Sequence, residues 1–329
     1  MLHAFGGVGA TGNQPQLERP PMTSLRSRLV ALAAVSAATT LAACGSSSLG
    51  GSSSTTTSGG SATSSAASGG VDAALAAKVP AALKTKGTIT IGTDATYAPN
   101  EFLASDGKTV EGMDVDLFNA VAAKLGLKTQ WVPADFSSII LGVTGGKYDI
   151  GVSSFTINAD RMKQVNMVSY FSAGTQWATK AGNPDKVNPD DACGLDIGVQ
   201  KGTVQIDDLT ARSKKCTDAG KKAINQIVEA DQSKVTADVI SGKTVAMLAD
   251  SPVGLYAVKQ TNGQLEALGN IYDSAPYGFV VPKTETDFAD AIAGALKDIA
   301  ADGSYKAALD KWGNSSGAIT DFTVNPSVS

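Results

Sequence analysis

Short apolar runs alternate with amphipathic stretches along the chain from about residue 86 onward. The segment TITIGT at 88–93 has the β-branched residues of a strand, and VDLFNAVAAKLG at 115–126 places Phe118 and Leu125 on one side of a helix. A strand at TQWV and a helix at FSSIILGV continue the order. Such alternation predicts an α/β fold class, in which helices cover parallel strands.

The second half of the chain repeats this pattern. Strand-like LDIGVQ at 195–200 precedes a helix, and strand-like TVAMLAD at 244–250 follows a Gly-Lys turn like that before YDIGVSS in the first half. Each strand delivers polar residues at its carboxyl end, where open α/β sheets bind ligands. Two units of about 90 residues each therefore predict two lobes that share a cleft.

The first 43 residues have the composition of a bacterial export signal. Two arginines precede the apolar run LVALAAVSAATTLAA, which is too short and too rich in Ala and Thr for a membrane span. We expect Met22 to be the true start and residues 1–43 to be the signal peptide. The run ends in LAAC, which resembles the lipobox of bacterial lipoproteins and predicts lipidation of Cys44; the alternative is a cysteine placed there by chance.

Residues 44–70 are mostly Gly, Ser and Thr and have almost nothing to bury. Random-coil scaling predicts a flexible tether with a reach of about 25 to 30 Å. A lipid at one end of such a tether would hold a globular body near a membrane but outside it.

Charge and histidine content exclude several classes of function. Beyond residue 43 the chain has 24 Lys and Arg against 30 Asp and Glu, a net charge of −6, which argues against a nucleic-acid partner. The only histidine, His3, lies in the expected signal. A Ser-His-Asp or Cys-His catalyst is therefore excluded, a zinc site is disfavoured, and we expect no metal and no cofactor.

Two cysteines remain beyond Cys44, namely Cys193 and Cys216. Exported chains oxidise such pairs readily, and a disulfide closing this loop would stabilise the fold by about 3 kcal/mol in the chain-entropy model. The alternative is two unpaired thiols.

The segment SSFTINADR at 153–161 concentrates hydrogen-bonding groups at one place. In one interpretation Asn158 caps a helix and the hydroxyls only complete a turn. In the other, a strand end, a helix N-terminus and the Arg161 guanidinium converge on a small anion. The segment taken alone leaves both open. The pair Asp114 and Asp116 could similarly hold a metal, but it precedes an apolar helix and is expected to cap it.

Six motifs fall in an order that resembles the amino-acid type (family 3) of solute-binding lipoproteins of bacterial ABC importers. They are GMDVDL, SSFTINADR, VQKGTVQ, LADS, YGFVVPK and DGSYKAALDKWG, and the resemblance covers about residues 86 to 313. It implies a two-lobed, periplasmic-binding-protein-like fold of type II with two crossing segments, near 176–182 and 272–277. Lobe 1 would comprise 71–176 plus 277–325, and lobe 2 would comprise 182–272 with both cysteines.

The resemblance also implies which groups bind an amino acid. Arg161 would take the α-carboxylate with help from Thr156, and Asp250 would take the α-ammonium. A zwitterion could satisfy both only when the lobes meet, so closure would be coupled to binding. The complete set of implied ligand-binding residues is Asp94, Tyr97, Trp131, Ser153, Ser154, Thr156, Arg161, Gln200, Thr203, Gln205 and Asp250.

Selectivity for the side chain of the ligand stays open at this stage. The resemblance places Asp94, Tyr97 and Trp131 around the distal part of the ligand. Ionic and cation–π contacts there suit Lys, Arg, ornithine or His, but an acidic group at this place also suits Gln. Alternatively, both aromatics belong to the core and Asp94 organises a turn. The sequence departs from the family at Asn100, where Phe is usual, and at Leu141, where Pro is common.

These features predict a monomeric, membrane-anchored extracytoplasmic receptor that delivers a polar or cationic amino acid to the permease and ATPase of an ABC importer. The membrane would be contacted through the lipid alone. Two alternatives remain: a cleft enzyme of the cyclohexadienyl dehydratase type, and a ligand-sensing lipoprotein without transport.

Overall fold

The structure is a computed structural model that describes residues 70–328. The expected signal, Cys44 and the tether before residue 70 lie outside the described residues. The strands are β1 (Thr88–Thr93), β2 (Thr96–Tyr97), β3 (Glu101–Leu103), β4 (Val110–Glu111), β5 (Lys128–Pro133), β6 (Ile150–Gly151), β7 (Val165–Lys180), β8 (Asp196–Gln200), β9 (Asn225–Glu229), β10 (Ala246–Asp250) and β11 (Leu265–Pro282).

Ten α-helices alternate with the strands of this part of the chain. They are α1 (Ala73–Ala77), α2 (Ala81–Lys86), α3 (Met113–Lys124), α4 (Phe136–Thr144), α5 (Ala159–Gln164), α6 (Val204–Asp218), α7 (Gln232–Ser241), α8 (Ser251–Gln260), α9 (Thr286–Ala301) and α10 (Ser304–Trp312). None of them combines the length and apolarity that crossing a membrane requires.

One eight-stranded sheet runs through the described residues in the order β5-β1-β6-β11-β7-β10-β8-β9. In its first half β1 pairs in parallel with β5 and β6, and in its second half β8 pairs in parallel with β9 and β10. The α/β class predicted from the alternation of apolar segments is therefore confirmed. A small sheet of β2, β3 and β4 sits beside the first half.

The long antiparallel strands β7 and β11 belong to both halves of the sheet. β7 pairs with β10 from Thr175 to Thr179, and β11 reaches β6 at Val280. The first crossing therefore lies before Thr175, a few residues earlier than the predicted 176–182. In β11 the register shifts between Leu268 and Ala275, so its irregular stretch overlaps the predicted 272–277.

Each half has its own apolar core. The first is built from β1, α3, α9 and the end of β11, with Ile91, Phe118 and Phe279 fully buried. The second surrounds the buried Trp177 of β7 and includes Cys216. Cys193 and Cys216 form a disulfide with their Cα atoms 5.5 Å apart, as predicted from the exported character of the chain.

The expectation that Asp114 and Asp116 cap helix α3 is wrong. The N-cap residue is Gly112, and no side chain completes the cap. Both aspartates lie within the first turn and face opposite ways: Asp116 accepts hydrogen bonds from Lys311 and Trp312 (both 2.7 Å), whereas Asp114 is fully buried. No group of three or more potential metal-ligating side chains occurs within residues 70–328.

Candidate functional site

Four polar side chains follow the carboxyl ends of parallel strands and meet between the two halves of the sheet. Asp94 follows β1, Ser153 follows β6, Gln200 ends β8 and Asp250 ends β10. At most 6% of the surface of each residue is exposed. The parallel arrangement thus gathers residues that are far apart in sequence at one edge of the sheet. The region where the two halves, here called lobes 1 and 2, face each other at this edge is called the cleft below.

Arg161 is the cation of this cleft. Asn158 caps helix α5 by accepting a hydrogen bond from the Arg161 N–H group (2.9 Å), so the capping interpretation holds. The guanidinium is also buried: Nη1 donates to the Thr156 carbonyl (2.7 Å), and the Phe136 and Phe155 ring centroids lie 5.4 and 5.5 Å away. Burial lowers the pKa of Arg161 to about 10, so the guanidinium stays charged at neutral pH.

Asp250 is the acidic group of lobe 2. It is the N-cap residue of helix α8, but its carboxylate makes no capping bond and turns toward the cleft instead. It accepts hydrogen bonds from the Tyr97 hydroxyl and the Gln205 amide (both 2.8 Å). Burial raises its pKa, while Arg161 lowers it, and Asp250 in turn raises the pKa of Arg161. Each of the two charges therefore favours the ionised form of the other.

Asp94 is the acidic group of lobe 1. One oxygen accepts from the Thr96 N–H group (3.1 Å) and hydroxyl (2.7 Å), and the other from the Phe136 N–H group (3.2 Å) and the Gln200 amide (2.5 Å). Burial raises its pKa, and these hydrogen bonds oppose that rise. Because Gln200 belongs to lobe 2, Asp94 also contributes to the contact between the lobes.

Hydrogen bonds from several side chains join the lobes across the cleft. The Tyr97 hydroxyl and the Gln200 amide donate to Asp250 and Asp94, and Arg161 Nη2 donates to the Gly202 carbonyl (3.1 Å). Gly202 has a φ of +82°, and a Cβ at this position would lie 2.9 Å from the Cβ of Ser137 in lobe 1. Only glycine therefore permits this approach without displacement of one lobe.

Three further residues predicted to bind the ligand have different surroundings from one another. Trp131 stands apart from the cluster: its indole N–H donates to Asn119 (3.2 Å) and its ring packs edge-on against Phe118 in the core of lobe 1. The Thr203 hydroxyl donates to the Gln200 carbonyl of its own lobe (2.8 Å). Gln205, in contrast, bridges Asp250 and the Thr175 hydroxyl (3.1 Å).

The Ser153 and Ser154 hydroxyls bind the acids behind the cleft, and the Ser153 hydroxyl also accepts from the Asp94 N–H group (3.0 Å). The Ser153 hydroxyl donates to Glu101 (3.0 Å), and the Ser154 N–H group and hydroxyl reach Asp114 (2.9 and 3.2 Å). Their side chains therefore connect the cleft to a buried layer behind it.

Sequence reasoning did not assign Phe136 and Phe155 to this site, or Glu101 and Asp114 to the layer behind it. Phe136 begins α4 directly after β5, so its place at the carboxyl edge of the sheet was a usable signal. Phe155 lies inside the very motif that contains Arg161. Glu101 has no comparable signal, because only the folded arrangement brings it against Ser153.

The family model described as bacterial extracellular solute-binding proteins, family 3, matches residues 89–315. The arginine-binding protein ArgT of Corynebacterium glutamicum is 34% identical over 252 residues, which cover 76% of this chain and 82% of ArgT. The lysine/arginine/ornithine-binding periplasmic protein of Escherichia coli is 28% identical over 236 residues, which cover 68% of this chain and 87% of that relative.

Solved structures of amino-acid-binding proteins also resemble this chain. An ancestral arginine-binding protein bound to arginine matches with a TM-score of 0.64 at 33% identity, covering 69% of this chain and 98% of that one. The ancestral amino acid-binding protein AncCDT-1, a precursor of cyclohexadienyl dehydratase, matches with a TM-score of 0.64 at 29% identity, covering 70% and 97%. These likenesses confirm the two-lobed fold that the sequence predicted.

Proposed function

Because the chain belongs to the bacterial extracellular solute-binding proteins of family 3, as the order of its motifs predicted, we propose that it captures a cationic amino acid, arginine above all, between its lobes. Arg161 holds the α-carboxylate, Asp250 the α-ammonium, and Asp94 the charged end of the side chain. Relatives named for binding arginine, lysine and ornithine support this choice.

The charge balance of the cleft is the observation that carries the proposal. Asp94, Asp250 and Arg161 are the buried charged side chains that face the cleft, in front of the layer of Glu101 and Asp114, and when all three are ionised their charges sum to −1. A neutral amino acid leaves that charge enclosed, whereas arginine or lysine brings one positive charge and cancels it. Since an unbalanced buried charge costs several kcal/mol, the cationic ligand is favoured.

Calorimetry with arginine and citrulline tests this assignment, because citrulline replaces the guanidinium by a neutral ureido group of the same length. We expect the protein to bind arginine about 10- to 100-fold more tightly, which is the strength of a hydrogen bond between charged groups. In Asp94→Asn the two affinities should come within about threefold of each other, since the amide no longer favours a cation.

Asp135→Asn is the matched control, because it removes an exposed carboxylate next to Phe136. It should leave the preference for arginine unchanged. Recognition by charge at Asp94 would be contradicted if Asp94→Asn kept the full preference for arginine over citrulline. It would also be contradicted if the unaltered protein bound glutamine more tightly than arginine.

We further propose that the protein is a monomeric lipoprotein, anchored through Cys44, that delivers its ligand to the permease and ATPase of an ABC importer. In detergent phase separation of expressing cells the protein should enter the detergent phase, whereas Cys44→Ser should move to the aqueous phase. Ser46→Ala, two residues away, serves as the control and should behave like the unaltered protein. Detergent partitioning of Cys44→Ser would show that another feature attaches the chain.

A dehydratase reaction in the cleft is not proposed. Asp94, the first-lobe acid available for it, already accepts two hydrogen bonds on each oxygen. These donors favour the ionised carboxylate, which attracts a cation but has no proton to transfer.

A further inference from the structure

Behind the cleft, lobe 1 buries two carboxyl groups against each other. Glu101 of β3 and Asp114 of α3 both have no exposed surface, and the Ser154 hydroxyl lies 3.2 Å from an oxygen of each carboxyl. Asp114 Oδ2 accepts from the Tyr170 hydroxyl (2.5 Å) and from Ser154, while Oδ1 has no N–H or hydroxyl donor within the described residues. Two carboxyls this close in a fully buried site repel each other unless one carries a proton, and Oδ1 is the acceptor left for that proton.

This pair is connected to both ends of the first-lobe site through two serines. The Ser153 hydroxyl donates to Glu101 Oε1 and accepts from the Asp94 N–H group (both 3.0 Å). The Ser154 hydroxyl donates to Glu101 Oε2 (3.2 Å), and its N–H group donates to Asp114 (2.9 Å). The pair therefore contacts groups that hold the backbone of Asp94 and the loop that leads to Arg161.

The loop needs such support because Ser154 has a φ of +49°, in the left-handed region that favours glycine. A residue persists there only where its surroundings fix it, and the cost is of order 1 to 3 kcal/mol. Here the N–H group of Ser154 is bound by Asp114, and its hydroxyl also accepts from the Asn100 amide (2.9 Å). The side chain of Asn100 thus supplies one of these contacts.

We infer that Glu101 is protonated at neutral pH, shares its proton with Asp114, and acts as a positioning residue that holds Asp94 and the 153–156 loop in place for the ligand. Its effect on amino-acid binding rests on the proposed function; its protonation does not. An ionised Glu101 would put a second negative charge beside Asp114 in a site without water access, and the two carboxylates would repel.

The surrounding groups agree with this protonation state. Burial and the charges of Asp114 and Asp94 raise the pKa of Glu101 well above its ordinary value, and burial raises the pKa of Asp114 to about 6. The other titratable groups facing the pair are the hydroxyls of Tyr170 and Tyr97, whose pKa values are also raised, so both stay neutral. The charge of the pair at neutral pH is therefore carried by Asp114 alone.

The raised pKa values of Glu101 and Asp114 determine how the stability of the fold depends on pH. Because folding raises the pKa of both carboxyls, the folded chain holds a proton that the unfolded chain releases. The contribution of the pair to stability is therefore present at low pH and is lost as the pH rises through the raised values, first near 6 and then through that of Glu101.

Carbon NMR of the glutamate carboxyls reads the proton directly and needs no ligand. The chain beyond Cys44 has only five glutamates, so selective ¹³Cδ labelling gives five signals, and the one lost in Glu101→Gln belongs to Glu101. We expect this signal at the neutral-acid position at pH 7 and an inflection only at alkaline pH. A Glu101 signal at the carboxylate position at pH 7 overturns the inference.

Positioning is read from the amide resonances of Asp94 and Ser154 and from arginine affinity. Glu101→Gln keeps a donor toward Asp114, so its arginine affinity should stay within about threefold of that of the unaltered protein. The amide shifts of Asp94 and Ser154 should no longer change at alkaline pH in this variant. Glu101→Ala should shift both amides and weaken arginine binding at least about tenfold. Glu111→Gln, on the neighbouring β4, should change none of these signals.

Unchanged amides and affinity in Glu101→Ala, or an alkaline inflection that persists in Glu101→Gln, would overturn the positioning role. If Glu101→Ala fails to fold, the pH profile of Glu101→Gln decides alone. If the unaltered protein bound no cationic amino acid, the proposed function would fall, while the carboxyl and amide signals would still decide the inference.

Discussion

At the scale of single residues, the surroundings of Arg161 limit what the guanidinium can do. Two phenyl rings flank it, its two terminal nitrogens donate to carbonyls of different lobes, and it is 8% exposed. The two rings and the Thr156 carbonyl, all in lobe 1, hold the side chain in one orientation, so little conformational entropy is lost when a carboxylate binds. The planar fork suits this role better than an ammonium group.

Replacing Arg161 should therefore weaken binding strongly. We expect Arg161→Ala to lose about 2 to 5 kcal/mol of arginine binding, because the ligand carboxylate stays buried without a partner. Arg161→Lys keeps the charge but not the fork, so its affinity for arginine should lie between those of the unaltered protein and Arg161→Ala. Calorimetry measures both. Lys163→Ala removes an exposed cation from the same helix and is the control; equal affinities in Lys163→Ala and Arg161→Ala would refute the assignment.

The individual residues show how far the sequence could predict the site. Arg161, Asp94 and Asp250 were accessible because each follows a recognisable strand end or helix start. The buried layer of Glu101 and Asp114 was not, since nothing in a local pattern distinguishes a buried acid from a surface one. Trp131 was assigned to the cleft, yet it lies on the helix-covered face of the sheet; the sequence did not indicate which face its side chain takes.

At the scale of elements, the two long strands set the division into lobes. Within β7 almost every residue is buried, so its apolar pattern does not change where the strand leaves one lobe and enters the other. This explains why the first crossing was predicted a few residues late. The existence and order of the elements were predictable because each lobe repeats the same alternation, whereas the crossing point depends on pairing with β10.

The disulfide should affect stability without affecting ligand recognition. It joins residues 23 positions apart, within lobe 2 and away from the cleft groups. We expect the double variant Cys193→Ser, Cys216→Ser to lose about 3 kcal/mol of unfolding free energy, the chain-entropy value for a loop of this size. Denaturant titration measures the loss. A parallel arginine titration should agree with the unaltered protein within about threefold; a larger change would show that the bond also shapes the site.

At the scale of the whole molecule, each lobe supplies part of the complement to a zwitterion. Arg161 and Asp94 come from lobe 1, while Asp250, Gln200 and Gln205 come from lobe 2. A ligand that contacts both sets binds the joined arrangement better than a separated one, and it can shift the equilibrium only by that difference. Under the proposed assignment, charge and not shape alone couples binding to closure.

The shared sheet also fixes the order in which the two lobes can be completed during synthesis. Lobe 2 lies within one uninterrupted stretch of chain between the crossing strands, including both cysteines. Lobe 1 needs the end of β11 and the extreme C-terminal segment, where Val324 bridges to Val168 and Phe322 is buried. A chain emerging from its N-terminus can thus assemble its second lobe first, and the lobe that begins the sequence is the last to acquire all its contacts.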